Sequence, residues 1–120
     1  MKTVLFVDDE EMNLFILNRL FSNDFNVITA SSAAEGIEVI KEQLDEIDVV
    51  VTDLKMPEVS GLQMLNEVED LLQEKPKFLL TGYNYHAEID EALASKKITG
   101  VFKKPFDFEE IRGVLQEQFK

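Results

Sequence analysis

Short, wholly apolar runs alternate along this chain with longer stretches in which apolar residues return every three or four positions. A run of about five apolar residues without polar alternation predicts a strand covered on both faces. TVLFV (3–7), FNVITA (25–30), DVVVTD (48–53), KFLLT (77–81) and GVFKK (100–104) are the candidate strands. Helices are predicted between them. Residues 11–22 put Leu14, Leu17, Leu20 and Phe21 at helical spacing. SSAAEGIEVIKEQL opens with Ser32 and Glu35 three apart, the signature of a reciprocal cap. It carries Ala33, Ile37, Ile40 and Leu44 as one stripe. A third helix is expected from about Ser60, with Leu62, Leu65, Val68 and Leu72 inward, and Pro76 closes that unit. A weaker helix covers 84–95 with Ala87, Ala92, Leu93 and Ala94. Asp107 and Glu110 repeat the capping pattern before a last helix that turns Ile111, Leu115 and Phe119 inward.

Five strands alternating with five helices imply parallel pairing and right-handed crossovers. A closed barrel of this kind needs about 250 residues, and the chain has 120. The expected architecture is therefore an open α/β sheet with helices on both faces. Such sheets carry their function at the carboxyl ends of the strands, near the point where strand order reverses.

Composition narrows the function. The length suits one domain with one sizeable core. Hydrophobic residues make up 45% and charged residues 30%, and no apolar run approaches the roughly 20 residues of a membrane helix. The first residues, MKTVLFVDDE, lack the apolar region and small-residue cleavage site of a signal peptide. The expectation is a cytoplasmic protein with no membrane contact. There is no cysteine and a single histidine, His86, which excludes disulfides, thiolate chemistry and a His-based metal cluster within one chain. The net charge is −12, with 24 acids against 12 bases. Phosphate neutralisation needs Lys and Arg, so direct nucleic-acid binding is not expected. Acidity suits a cation or a basic protein partner, though its ordinary role is solubility.

The strand ends concentrate the chemistry. The first strand runs into Asp8 and Asp9, the third ends in Asp53, the fourth in Thr81, and the fifth in Lys104 and Pro105. Taken singly, each has an ordinary reading. Acids after a strand cap helices, an Asp before a turn is common, and a strand-end Thr or a Lys before Pro is unremarkable. Taken together, three carboxylates, a hydroxyl and an ammonium meet at one edge of one sheet. Packed carboxylates repel, and at least one pKa rises unless a cation intervenes. A hard divalent ion answers this, and Mg²⁺ favours a few carboxylates plus phosphate oxygens. An aspartate can be a nucleophile that carries an acyl phosphate. Thr81 could donate to a phosphoryl oxygen and Lys104 could pair with another. These parts suffice for phosphoryl transfer, which is mostly positioning and electrostatics.

VDDE at the first strand, DLKMPEVSG after the third, LLTG at the fourth and KPF after the fifth resemble the receiver domain of two-component response regulators, the chemotaxis-regulator type. The similarity runs from about Lys2 to Phe119, and the combination is specific where no single piece is. It implies a flavodoxin-like, doubly wound (βα)5 sandwich with a parallel sheet of order 2-1-3-4-5, as one receiver domain over residues 1–120. It implies that Asp53 is the phosphoacceptor, that Asp8 and Asp9 bind Mg²⁺ or Mn²⁺ with Asp53 and the Lys55 backbone carbonyl, and that Thr81 is the switch hydroxyl. Lys104 matches the family's lysine, and a cis bond is expected before Pro105. The implied donor is a sensor histidine kinase or histidine phosphotransfer protein, and an unidentified output partner would bind residues 84–119. Such a protein is mainly a signalling switch that catalyses its own aspartyl phosphorylation and dephosphorylation.

Two features depart from the family or tune it. Val101 stands three residues before Lys104, where many receivers carry Tyr or Phe. Strand alternation turns Phe102 to the opposite face, so the expected switch works through loop motion while Val101 packs in place. Lys55 and Tyr83 are expected to flank the site's mouth and to slow autodephosphorylation by hindering water. His86, a lone histidine early in a surface helix, is read as incidental. A dehalogenase-type phosphatase would need an Asp at position 55, a flavodoxin would need a hydroxyl-rich loop after the first strand, and no nucleotide loop is present. The surviving alternative is a pseudo-receiver, an interaction module that is never phosphorylated.

Overall fold

A computed structural model of the protein describes residues 1–82 and 87–120. Its strands are β1 (Thr3–Val7), β2 (Asn26–Ala30), β3 (Val49–Asp53), β4 (Lys77–Thr81) and β5 (Gly100–Lys103). Its helices are α1 (Glu11–Phe21), α2 (Ala33–Glu42), α3 (Gly61–Glu67), α4 (Glu69–Leu72), α5 (Ala87–Ala94) and α6 (Phe108–Glu117). The strands form one parallel sheet of order β2-β1-β3-β4-β5, as expected. The chain steps outward from β1 to β2, then returns to place β3 on the other side of β1. That reversal opens a crevice over the carboxyl ends of β1 and β3.

Side chains alternate across the strands and build two apolar layers. Leu5, Val7, Val50 and Leu79 pack with Ile40, Met64, Leu65 and Ile89 on the face covered by α2, α3, α4 and α5. Val4, Phe6, Val51, Leu80 and Phe102 pack with Leu14, Leu17, Ile111 and Leu115 on the face covered by α1 and α6. Every residue of β1, β3 and β4 is buried, which is why these runs show no polar alternation. β2, at the sheet edge, is partly exposed.

The helices differ from the sequence expectation in three places. The single helix expected from Ser60 to Leu72 is broken at Val68, where the backbone leaves helical geometry (φ −109°, ψ 15°). Val68 is wholly buried, so the inward stripe continues across the break. In α5 the inward residues are Ile89 and Ala92 with Leu93 half-buried, whereas Ala87 and Ala94 are exposed. The 3.6-residue period runs from Ile89, and an exposed methyl costs little. The Ser32 hydroxyl accepts from the Glu35 amide at 3.1 Å. The Glu35 carboxylate, however, does not reach back to Ser32. It accepts from the amide and hydroxyl of Ser31 at 3.3 and 3.2 Å. The full reciprocal cap lies instead at Ser60 and Gln63, and Asp107 caps α6 as expected through the amides of Glu109 and Glu110. Among the described residues, no helix is long and apolar enough to cross a membrane.

Candidate functional site

The sheet places Asp8, Asp53 and Thr81 at the carboxyl ends of three adjacent strands. Asp8 follows β1 directly and is fully buried. Its carboxylate accepts from the Glu10 amide at 2.9 Å and from the Asn13 side chain at 3.2 Å. Asp9, next along the chain, is exposed. Asp53 closes β3 and is only 6% exposed, although it ends in a loop. One carboxylate oxygen from each of Asp8, Asp9 and Asp53 lies within 4.8 Å of the others.

The loop after β3 folds tightly back on that strand. The Gly61 amide donates to the Leu54 carbonyl at 2.9 Å. A Cβ at position 61 would stand 2.2 Å from the Asp53 carbonyl oxygen and 3.1 Å from a Thr52 methyl, so a glycine is required there by close approach. Glu58 takes the left-handed conformation (φ 68°) within this loop. Ser60 then launches α3. The peptide carrying Asp53 is thereby clamped between the buried strand and the start of a helix.

Lys104 reaches the same place from β5. Its backbone amide donates to the Thr81 carbonyl at 2.8 Å, the Lys104–Pro105 peptide is cis, and its ammonium lies 3.8 Å from Asp53 Oδ2. Thr81 is buried at the end of β4. Asp9, Glu10, Asp53, Lys55, Thr81, Gly82 and Lys104 line an open cleft of about 370 Å³. Lys55 is exposed on that wall. Val101 is half-buried on the α2–α5 face, and Phe102 is buried on the α1–α6 face, as alternation requires. Tyr83 and His86 lie outside the described residues.

Burial pushes the Asp53 carboxyl up, the neighbouring Asp8 charge adds to it, and Lys104 pulls back, leaving it at about 6. Asp8 is also raised by burial, against the pull of the Glu10 amide and the Asn13 side chain. The physical cause is shared: three carboxylates face one ammonium across a cleft that burial has partly stripped of water. Three carboxylate oxygens this close are a donor set that fits a hard divalent cation, whose charge would remove the repulsion.

Against known proteins, the family model described as "Response regulator receiver domain" matches residues 4–116. This chain belongs to the response regulator receiver family. The receiver is 36% identical over 118 residues to the transcriptional regulatory protein GlrR of Escherichia coli K12, covering 95% of this chain and 25% of that protein. It is 25% identical over 117 residues to sporulation initiation phosphotransferase F of Bacillus subtilis 168, covering 95% of this chain and 90% of that one. Among solved structures, it superposes on a response regulator receiver domain protein from Clostridium thermocellum with a TM-score of 0.81, 31% identity and coverage of 92% and 88%. The chemotaxis protein CheY4 of Vibrio cholerae shares the fold at a TM-score of 0.86 and 24% identity, covering 98% of both chains. The receiver spans about a quarter of the length of the first curated relatives it matches.

All five strand-end residues singled out in the sequence, Asp8, Asp9, Asp53, Thr81 and Lys104, meet in the receiver's crevice. Asn13 was missed. Its side chain reaches back from the first turns of α1 to Asp8, and a spacing of five matches no standard helical pair. Phe106, quoted only as part of KPF, was given no role, yet its ring stands 5.5 Å from the Lys104 ammonium.

Proposed function

We propose that this receiver is a phosphorylation-dependent switch that takes a phosphoryl group onto Asp53 from a phosphohistidine on a sensor histidine kinase or histidine phosphotransfer protein. The observation that carries this reading is a buried Asp53 carboxylate grouped with Asp8 and Asp9 within 4.8 Å and with the Lys104 ammonium at 3.8 Å. In the transfer, an Asp53 carboxylate oxygen bonds to phosphorus, the phosphorus–nitrogen bond of the donor breaks, and its electron pair stays with the imidazole. Lys104 offsets charge on the transferred oxygens, and Thr81, at the neighbouring strand end, donates to one of them.

Asp8, Asp9 and Asp53, with the Lys55 carbonyl, would hold Mg²⁺ or Mn²⁺. When bound, such an ion neutralises phosphoryl charge and the repulsion among the carboxylates. Exposed Lys55 lines the cleft mouth, which supports slow dephosphorylation through shielding of the acyl phosphate from water. Output would pass through α5, β5 and α6 within the 84–119 surface, with Val101 packing in place as Thr81 shifts. Two relatives lend context: one is named a transcriptional regulator and one a phosphotransferase.

The donor approaches over α1, which begins at the rim of the cleft. Met12, Phe15 and Ile16 are exposed along that helix by 68%, 61% and 38%, apolar positions suited to a protein phosphodonor.

The test is intact mass after incubation with Mg²⁺ and acetyl phosphate. Wild type gains the mass of one phosphoryl group and Asp53→Asn gains none. No gain on wild type would return the protein to the pseudo-receiver reading, and an equal gain on Asp53→Asn would overturn Asp53 as the acceptor.

A further inference from the structure

The Lys104 ammonium is 3.8 Å from Asp53 Oδ2. That is an ion pair beyond hydrogen-bond length, and it leaves a flexible four-carbon side chain weakly fixed on that side. The Lys104 side chain is 33% exposed, so solvent competes for its head group. Two neighbours lie close to it. Its Cδ lies 3.4 Å from where a Cβ on Gly82 would stand, so the stem lies close over that glycine. Its ammonium stands 5.5 Å from the centre of the Phe106 ring, within the roughly 6 Å over which a ring face attracts a cation.

The ring is itself held. Phe106 meets Phe108 edge-on at 6.3 Å, and Phe108 meets Phe21 edge-on at 6.5 Å. Phe21 is fully buried in the α1–α6 layer. The guanidinium of Arg112 lies 5.1 Å from the Phe21 ring centre, and its Nη2 donates to the Leu20 carbonyl at 2.7 Å. A row of rings thus runs from the helical layer to the lysine at the site. Edge-to-face pairs of this kind hold ring orientation better than aliphatic packing does.

We propose that Phe106 is a positioning residue that holds the Lys104 ammonium over the cleft by cation–π contact. The ring limits the rotamers the ammonium visits and keeps it near the place where a phosphoryl group on Asp53 develops charge. A lysine loses considerable rotamer freedom when fixed. A ring that fixes it beforehand removes part of that loss from the transfer step. The role rests on the phosphoacceptor reading of Asp53.

The experiment compares Phe106→Leu, which keeps apolar volume without a π face, with Phe106→Tyr, which keeps both. Circular dichroism and thermal melting first establish that each variant is folded. If Phe106→Leu is not, Phe106→Met takes its place with the same expectations. Two quantities are measured. One is the initial rate of phosphoryl uptake from acetyl phosphate with Mg²⁺. The other is the proton shift of the Lys104 ε-methylene, recorded without phosphodonor. Phe106→Leu should slow uptake about two- to five-fold, the size of a partly exposed cation–π contact. It should also abolish the upfield ring shift of the ε-methylene. Phe106→Tyr should retain both. An unchanged rate or shift in Phe106→Leu overturns the proposal, and so does a folded Phe106→Tyr that behaves like Leu. A wild type that takes up no phosphoryl group overturns the phosphoacceptor reading and the positioning role with it. The methylene shift reports the contact independently of that outcome, so the two failures are distinguishable.

Discussion

An ionised Asp53 is opposed by its burial and by the charges of Asp8 and Asp9, and Lys104 offsets only part of this. Its carboxyl is raised from 3.8 to about 6, so between those values the folded chain binds protons that the unfolded chain has released. Stability therefore falls as pH rises through that window. The destabilisation is fully present above the folded value and vanishes below the unfolded one. Asp53→Asn should then stabilise the metal-free protein at about pH 7.5 by about 1–3 kcal/mol, with the gain shrinking toward pH 5, as read by urea denaturation in chelator. Equal gains at both pH values would contradict this origin. Asp8 is raised in the same direction, so a residual pH slope should persist in the variant. Gly61 supplies a second test at this scale. A methyl there would meet the Asp53 carbonyl at 2.2 Å, a backbone atom that cannot swing aside. Gly61→Ala should destabilise by about 1–3 kcal/mol and slow phosphoryl uptake, because the strain falls on the peptide that carries Asp53. An undisturbed uptake rate would detach that glycine from the site.

Strand β3 and helix α1 show what an element contributes beyond its residues. β3 is buried along its whole length and has a strand on each side, which gives Asp53 a rigid mount. α1 buries Leu14, Leu17 and Phe21 and leaves Met12, Phe15 and Ile16 exposed on a helix that starts beside Glu10 of the cleft. If a protein donor docks on that face, Phe15→Asp should slow transfer from a phosphorylated histidine kinase or phosphotransfer protein about tenfold or more, on the scale of losing one buried aromatic anchor. Uptake from acetyl phosphate should be unchanged, since the small donor needs no docking surface. Equal slowing with both donors would point to damage at the site instead. Elements were also the level at which the sequence was most readable. Continuous apolar runs can hardly be anything but buried strands once helical stripes separate them, so element order and parallel pairing followed, while the strand order 2-1-3-4-5 came from the family resemblance. The break at Val68 did not, because its apolar stripe continues unbroken through a backbone that does not. Ile89 was passed over for the alanines around it, since a propensity for helix says nothing of which face turns inward. At the site, the five strand-end residues were legible from topology alone. Asn13 and Phe106 were not, because each acts through a side-chain direction that no spacing rule encodes.

Across the whole molecule the charge is −12, and three of its carboxylates, Asp8, Asp9 and Asp53, gather over the crevice made by the strand-order reversal. Two effects of added Mg²⁺ must then be separated. General screening relieves self-repulsion among all the surface acids and should be matched by any salt of equal ionic strength. Specific binding stabilises the folded state by mass action, about 2.7 kcal/mol when the ion is at a hundred times its dissociation constant. The two cores share the β-sheet as a common wall, so stabilisation at its edge should appear as a single rise in the unfolding midpoint. At matched ionic strength, Mg²⁺ should raise the melting temperature of wild type above the value in NaCl. The excess should be much reduced in Asp9→Asn, which removes a donor that is exposed and structurally undemanding. It should also shrink in Asp53→Asn, which lacks part of the repulsion that the ion relieves. Melting curves that coincide in the two salts would mean that the acidic cluster acts only as surface charge. The same excess in all three proteins would place the bound ion elsewhere on the molecule.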